Sequence, residues 1–566
     1  MKKSKLLIGN FKEDEMLRKL FLAFIVTLLP AAIWAYPGDC QYDDTLVVTG
    51  DVGGQTWTPN NLYVMVGHCV VQSGTVLTIE PGTVIWGTNP FSTWDPAEDY
   101  PGALIVARGG QIDAEGTREQ PIIFTVEQDN LCDPYDIAYG SRQLWGGLII
   151  NGYADINTTL PTGNIEGIPI ELGYGIYGSE PPVDDDNSGI LKYVSVRHGG
   201  FEIGEANEIN GISFGGVGSG TTVDYVEVFN NYDDGFEWFG GNVDTKHLVV
   251  VGGGDDCFDY DEGFRGRHQF WFAIYDSLSG DKNGEHDGGT TPEDGLPFAE
   301  PVIYNATMVG LGYGAGHDLT KNSRIFDIRD NAGGHYKNSI MTEGTQKVLR
   351  VEDLGSGEDS RARLEAGDLT FENNIFYSFG SYDGTIASIL DQPFVVDYFA
   401  NNGAWQGISA NVTGPTNDMN TVDPMLHSLS WSDATQDLDP RPDAGSPAIG
   451  GTMAAYTDPY FDAVDYKGAF GPYDANNLNT LWLRGWTHAW ERAMTPFICA
   501  DFNYDNNVNV LDIIFFIDWK FKTGRMPHPV IAANLNGDAS INVLDIIYLI
   551  DNKFKGGPAP VCPSAP

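Results

Sequence analysis

Two stretches near the C-terminus space oxygen-bearing side chains as a hard divalent cation requires. Asp501, Asn503, Asp505, Asn509 and Asp512 stand at positions 1, 3, 5, 9 and 12 of one loop, with Asn507 at position 7, where the backbone carbonyl serves. Asn534, Asn536, Asp538, Ser540, Asn542 and Asp545 repeat the arrangement 33 residues later. Calcium takes about six to eight oxygens around one tight loop, and this spacing presents them. The bland alternative is a pair of Asp/Asn turns that cap helices. Duplication at the same spacing favours the cation. Asn506 and Ala539 replace the usual loop glycine, and Asn534 brings no charge, so the second site is expected to be the weaker.

A second acidic pattern lies mid-chain. Asp233-Asp234-Gly235-Phe236-Glu237 is answered 22 residues on by Asp255-Asp256-Cys257-Phe258-Asp259, with Asp261 and Glu262 just beyond. Asp234, Asp256, Asp259 and Glu262 are the candidate cation or glycan residues. Stacked carboxylates can form a cation ladder or a solvated edge. At a separation of about 6.5–9.5 Å they can also serve an inverting hydrolase. Lyase chemistry needs a basic group to take a proton beside a uronate carboxylate, often with calcium to neutralise the substrate. Arg197, His198, Arg265, Arg267 and His268 are the nearby candidates. Asp281, Asn283, Glu285 and Asp287 alternate as a loop ligand set would, inside a polar loop at 276–300. No serine, cysteine or histidine triad stands at local spacing.

A 22-residue recurrence of β-branched run, Gly or Asn, and acidic turn signals a solenoid. Residues 221–266 read as two coils of a parallel β-helix, with alternate side chains pointing inward and coils about 4.8 Å apart. The 69 glycines suit its corners. Asn230 with Asn231 is expected to form an amide ladder, and Phe236 to stack on Phe258. The predicted fold is mainly β: a right-handed parallel β-helix over 36–390, with an N-terminal cover and an excursion at 161–187. A solenoid end, cap and linker follow over 391–494. Trp482, Trp486 and Trp490, at spacing four, are expected to form one apolar helical face that closes or docks on the core. A small all-α domain with two calcium loops fills 495–562, its helices beginning at Val510 and Val543.

The runs VLTIEPGTVIWG, ALIVARGGQIDAEGT, PIIFTV, WGGLIINGYA and DDDNSGILKYVSVRHGG together resemble a family of secreted bacterial right-handed β-helix proteins, over roughly 45–390. That family supplies no catalytic residues to carry over, and the fold serves both adhesins and polysaccharide-degrading enzymes. The C-terminal pair of loops, with Asp rather than Glu at the last ligand, resembles a type I dockerin. The resemblance implies Ca2+ as cofactor and a cohesin-like module on another protein as partner. The repeated VLDII at Val510 and Val543 fits either two docking faces or shared helix packing.

The net charge of -46, from 32 basic and 78 acidic residues, repels phosphate backbones and argues against nucleic acid. Arg18 and Lys19 precede an apolar run too short to span a membrane, so 1–35 reads as a leader with a secretory signal and the mature chain as secreted or cell-surface. All six cysteines lie beyond it, and none forms a CxxC. Cys499 with Cys562, bracketing the last domain, is the first expected disulfide, and Cys40 with Cys69 the second. Cys257 reads as a small buried residue. Two functions stay open: a β-helix that binds glycan or serves adhesion, assembled through its tail, and a polysaccharide lyase or hydrolase tethered by that tail.

Overall fold

A computed structural model describes residues 42–562, apart from 96–98, 132, 205–206, 278, 290, 315–316, 356, 401–416, 420–421, 523, 525 and 539. The expected leader at 1–35 and Cys40 lie outside the described residues.

The strands form a right-handed solenoid of three parallel columns. The first column runs through Gln111–Glu115, the first halves of Gly189–Arg197, Thr222–Phe229 and Thr245–Val251, then Arg267–Gln269, Val302–Tyr304, Gly334–Lys337 and Leu369–Glu372. The second takes Ile122–Val126, the second halves of the same long strands, and Phe272–Ile274 through Ile375–Phe379. The third stacks Ala103–Val106, Leu148–Asn151, Ile212–Gly215, Phe236–Phe239, Phe258–Asp261, Gly284–Asp287, Arg324–Arg329 and Lys347–Val351. Inward residues such as Val194, Val226 and Leu248 build one continuous core. Phe236 and Phe258 stack there at 5.7 Å, as expected.

The bend between the first two columns falls on residues in the left-handed region: Tyr193, Tyr225, His247, Phe270, Asn305, Asn338 and Asn373. This conformation costs a residue other than glycine roughly 1–2 kcal/mol. Stacking repays part of that in the first four, whose rings pile at 4.5, 4.1 and 4.9 Å. The side-chain ladder predicted at Asn230 and Asn231 does not form, because Asn230 makes no side-chain hydrogen bond and Asn231 turns to the Asp234 carbonyl. A polar ladder occurs instead at the later corners. Ala306 N donates to Ser339 Oγ, Ser339 N to Asn374 Oδ1, and Asn374 N to Asn417 Oδ1, at 2.9, 2.8 and 3.0 Å.

The helix Pro393–Ala400 covers the last coil with Val395, Tyr398 and Phe399. The chain then runs back along the solenoid. Ala454 meets Asn338, Tyr456 meets Asn305, Asp462 meets Gln269, Trp482 and Trp486 meet Tyr225, His488 meets Glu227, and Arg492 meets Pro134 and Ile137. Partner numbers fall as the chain advances, so this strap lies antiparallel to the direction of coiling. It is seated on outward apolar residues of the second column, including Phe229, Val249, Val251, Phe272 and Ile274. Trp482 and Trp486 therefore pack on the flank of the coils rather than on their open end, while Trp490 packs on Arg484 and on Tyr504 of the C-terminal region. They share no helical face, since the only regular helix there is His488–Glu491.

Helices Val510–Phe521 and Val543–Lys555 pack on each other through Ile513, Phe516, Ile546 and Leu549. The Cys499–Cys562 disulfide closes this region. The second expected disulfide is not formed. Cys69 is a free thiol on the inner face of the strand Asn61–Val71, fully buried, with its Sγ 3.4 Å from the Val48 carbonyl. The strand's alternation turns it into the core, where coils on both sides enclose it. Cys257 is likewise free and buried.

Candidate cation-binding site

The acidic turns lie on the third column, and register stacks them. Asn210 Oδ1 accepts from Asp234 N at 3.2 Å, Asp234 Oδ1 from Asp256 N at 2.9 Å, and Asp256 Oδ1 from the Lys282 backbone N. One side-chain oxygen per coil thus caps the next coil's amide. Beside this row, Glu237, Asp259, Glu285 and Asp327 are paired in successive strands and alternate with inward aromatic residues. The expected 276–300 loop ligand set therefore belongs to the array as its third coil, Asp281-Lys282-Asn283-Gly284-Glu285. Its spacing from the second coil is 26 residues, not 22, because one extra residue is inserted before Arg267 and three more at the corner between Ile274 and Gly284.

Within the array, three groups of carboxylates bring one oxygen each within 4.8 Å of one another: Asp233, Asp234 and Asp255; Asp234, Glu237 and Asp259; Asp255, Asp256 and Asp281; a fourth group, Glu293, Asp330 and Glu352, lies outside it. Asp255 is exposed, Asp233, Asp259, Asp281 and Glu285 are half-buried, and Asp234, Glu237 and Asp256 are buried. The array is thus reachable from solvent at its outer rim. The excursion forms the wall at its start, where the Tyr177 hydroxyl donates to Glu262 Oε2 at 2.9 Å. Of the predicted residues, Asp234, Asp256 and Asp259 come together, while Glu262 is engaged by that wall.

Burial and mutual repulsion make these carboxylates reluctant to ionise. Asp233 is pushed up to about 7, by burial first and then by Asp255, Glu208 and Glu166. Asp234, Glu237 and Asp259 are raised well above the carboxylate range by burial and then by one another. Burial raises Asp256 as well, against the opposing charge of Lys282. Glu262 is pushed up to about 8 by burial and then Asp261. Asp259 Oδ1 is buried and accepts no hydrogen bond. An orphaned carboxylate oxygen between two other carboxylates fits a hard cation.

The cationic side chains touching the array were not among the expected ones. Lys282 Nζ lies 2.5 Å from Asp281 and 3.0 Å from Glu285, and Arg329 lies 2.8 Å from Glu285 and 2.7 Å from Asp287. The Asp-Asp/Asp-Lys correspondence was the signal that marked Lys282. The basic residues named from the sequence are dispersed. Arg197 and His198 are buried near the strap, and His268 is inside the core. Arg267 serves Asp244 and Asp458 on the first column, and Arg265 lies 3.8 Å from Asp184.

In the tail, Asp501 accepts from Asp505 N and Asn506 N, both at 3.1 Å, and Asp505 from Asn507 N at 2.7 Å. Asn503 and Asn509 each turn their amide to Asp505. Asp501 is pushed up to about 6 by burial and then by Asp512. Asp512 bonds Phe502 N and Asn509 N, both at 2.7 Å, which closes a capping box on the following helix. Asp545 does the same for Leu535 N and Asn542 N, both at 2.8 Å, while Asp538 bonds Asn536 and Ser540. Tyr504 and Gly537 take the left-handed turn at position 4 of each loop, and Asn506 takes it at position 6. Asn534 Oδ1, at the first ligand position of the second loop, is buried and has no hydrogen-bond partner. That orphan fits a cation ligand. Replacing Asp512 by Ala removes its bonds to Phe502 N and Asn509 N, the second of them one leg of the capping box, and a candidate ligand. It should cost the tail about 1–2 kcal/mol without added metal and abolish any calcium-dependent rise in its melting, read by calorimetry of the full chain. An unchanged calcium response would exclude Asp512 as a ligand.

A solenoid of three parallel columns defines a right-handed parallel β-helix, here with a carboxylate array on one outer face. Residues 50–414 match the family model described as "Pectate-lyase like beta helix domain", and the chain belongs to that family. Neither curated proteins nor solved structures gave a match. Among the described residues no helix is long and apolar enough to cross a membrane.

Proposed function

We propose that the β-helix acts on acidic polysaccharide as a cation-assisted lyase, and that the protein is exported and tethered through its C-terminal calcium-loop domain. The observation that carries the first part is the orphaned Asp259 Oδ1 within the Asp234–Glu237–Asp259 group. A calcium ion there would neutralise a uronate carboxylate and so acidify the adjacent C–H. Asp234, Glu237, Asp259 and, one coil on, Asp255, Asp256 and Asp281 would hold it. Lys282 and Arg329 flank these groups and, held charged by the carboxylates beside them, are placed to orient the sugar carboxylate. Family membership supports a lyase over an inverting hydrolase.

The competing reading is a module that binds glycan without cleaving it. It is favoured by the ion pairs that already engage both Lys282 and Arg329. Incubating the protein with polygalacturonate and calcium separates the two. The lyase reading expects unsaturated uronate ends, lost in EDTA and reduced by about 10²-fold or more in Asp259→Asn, the scale of removing one electrostatic stabiliser. Binding with no unsaturated product from any acidic polysaccharide tried would leave the module.

For the tail, the supporting facts are the duplicated loops, the orphaned Asn534 oxygen, and the disulfide, which suits an oxidising compartment. VLDII divides its side chains between an inward and an exposed face. Ile513 and Ile546 pack inward, whereas Val510, Leu511, Val543 and Leu544 are exposed at matching positions on the two helices. This doubled apolar patch is our candidate docking face for a cohesin-like module.

A further inference from the structure

We infer that a pocket of about 290 Å³ between the early coils and the excursion is a metal-independent subsite for a carboxylate-bearing sugar. The pocket is lined by Gln72, Ser73, Arg108, Tyr153, Leu172 and Tyr174, among others. Its ligand class rests on the acidic-polysaccharide reading above, but its position does not. The short strand Ile176–Tyr177 separates it from the carboxylate array: Ile176 lines the pocket, while the Tyr177 hydroxyl donates to Glu262.

The central group is Arg108. Its guanidinium lies 5.3 Å from the centre of the Tyr153 ring, and Nη1 donates to the Gly178 carbonyl. It makes no ion pair among the described residues, and neither Nε nor Nη2 has a hydrogen-bond partner there. Most arginines here are paired; Arg484 also lacks a carboxylate partner, but it is buried over the Trp490 ring. Arg142, Arg197, Arg267, Arg324, Arg329, Arg350, Arg361, Arg363, Arg441 and Arg492 all bond to a carboxylate. With 78 acidic side chains against 32 basic ones, an arginine left unpaired at a pocket is a site where an anion binds without competing with the protein's own carboxylates.

The rest of the lining suits a sugar. Tyr153 and Tyr174 offer ring faces, Gln72 and Ser73 offer donors and acceptors for hydroxyls, and Leu172 stands 38% exposed with its apolar surface at the rim. Supporting contacts hold both rings. The Tyr153 hydroxyl donates to the Arg108 carbonyl at 3.3 Å, and the Tyr174 hydroxyl lies 2.8 Å from His68 Nδ1. At Gly109, in the left-handed region, a Cβ would come within 2.7 Å of Ser73 Oγ and 3.0 Å of the Tyr153 hydroxyl. The corner therefore depends on a missing side chain to bring Arg108, Ser73 and Tyr153 together. The volume is at the low end for ligand pockets, about 300 Å³, which suits a single sugar ring better than a chain.

The test is titration of the full chain with galacturonic acid in EDTA, by calorimetry or ligand-observed NMR, with galactose as the neutral control. The subsite predicts that galacturonate binds, that galactose binds about tenfold or more weakly, and that Arg108→Gln loses about tenfold for galacturonate, the loss of one charge-assisted pair. Leu172→Trp, at an exposed rim position, should fill the pocket and give the same loss, which guards against a folding defect in the first variant. Asp256→Asn should leave binding in EDTA unchanged, so a failure of the carboxylate array is read separately. Equal affinity for galactose, full affinity in both pocket variants, or no binding of galacturonate in EDTA would each overturn the assignment.

Discussion

Glu491→Gln should loosen the strap from the coils and lower the unfolding free energy by about 3–5 kcal/mol, the cost of leaving one partner of a buried ion pair uncompensated. Arg197 is fully buried, and its Nη1 lies 2.6 Å from Glu491 Oε2. Its Nε donates to Ser195 Oγ at 2.8 Å, and Ser195 in turn donates to Glu227 Oε2 at 2.6 Å. Glu227 also accepts from His488 N at 2.7 Å, and His488 Nδ1 lies 3.0 Å from Glu491. The network thus joins the second column to the strap through charges that have no water to fall back on. Replacing Arg197 and Glu491 together by Met and Leu should recover only part of the loss, because it removes the unpaired charge but also takes the countercharge from buried Glu227. Urea unfolding of the three proteins measures both effects. A Glu491→Gln midpoint equal to the parent's would show that the pair does not hold the strap.

Without metal, the β-helix should lose stability as the pH rises from about 5 to 8, and calcium should remove that loss. The folded-state values of Asp233 and Asp287 are pushed up to about 7 and that of Glu262 to about 8, in each case by burial first. The folded state therefore holds protons that the unfolded chain has already released. The resulting stabilisation is complete below the ordinary carboxylate value of about 4 and is lost as the pH climbs through 7 and 8. A cation that takes the protons' place must displace them, so its apparent affinity should rise about tenfold per pH unit for each proton released. Calorimetric titration in two buffers of different ionisation enthalpy counts those protons. Running it in the Asp512→Ala, Asp545→Ala background keeps the tail loops out of the signal. Melting in EDTA that is flat between pH 5 and 8, or binding without proton release, would mean the array does not exchange protons for metal.

The parallel β-helix was legible because stacking imposes a repeat, and a repeat survives in one dimension. Asp233–Glu237 and Asp255–Asp259 share a spacing, a turn and an inward aromatic residue, so two coils suffice to recognise the column. The paired tail loops were legible for a similar reason: ligand spacing within a dozen residues is local. The third coil of the array was not, since one extra residue before Arg267 and three more between Ile274 and Gly284 shift the count from 22 to 26 without disturbing the backbone register of Asp259 on Glu285. The signal that remained was the Asp-Asp and Asp-Lys correspondence, which periodicity alone passes over.

The strap lay further from view. Val249 and Val251 alternate with Leu248 and Val250, so that strand is apolar on both faces and must be covered on both. That much can be read along the chain. Which segment supplies the cover cannot, because apolar surface is non-directional and Phe470, Leu483 or Trp486 would serve on many faces. Pairing Arg197 with Glu491, orphaning Asp259 Oδ1 and leaving Arg108 without a carboxylate are likewise outcomes of long-range packing. Local spacing sets the coil, the loops and their ligand types. The folded arrangement of distant segments sets which charges are paired, which are stranded, and therefore where a cation or an acidic sugar finds a site.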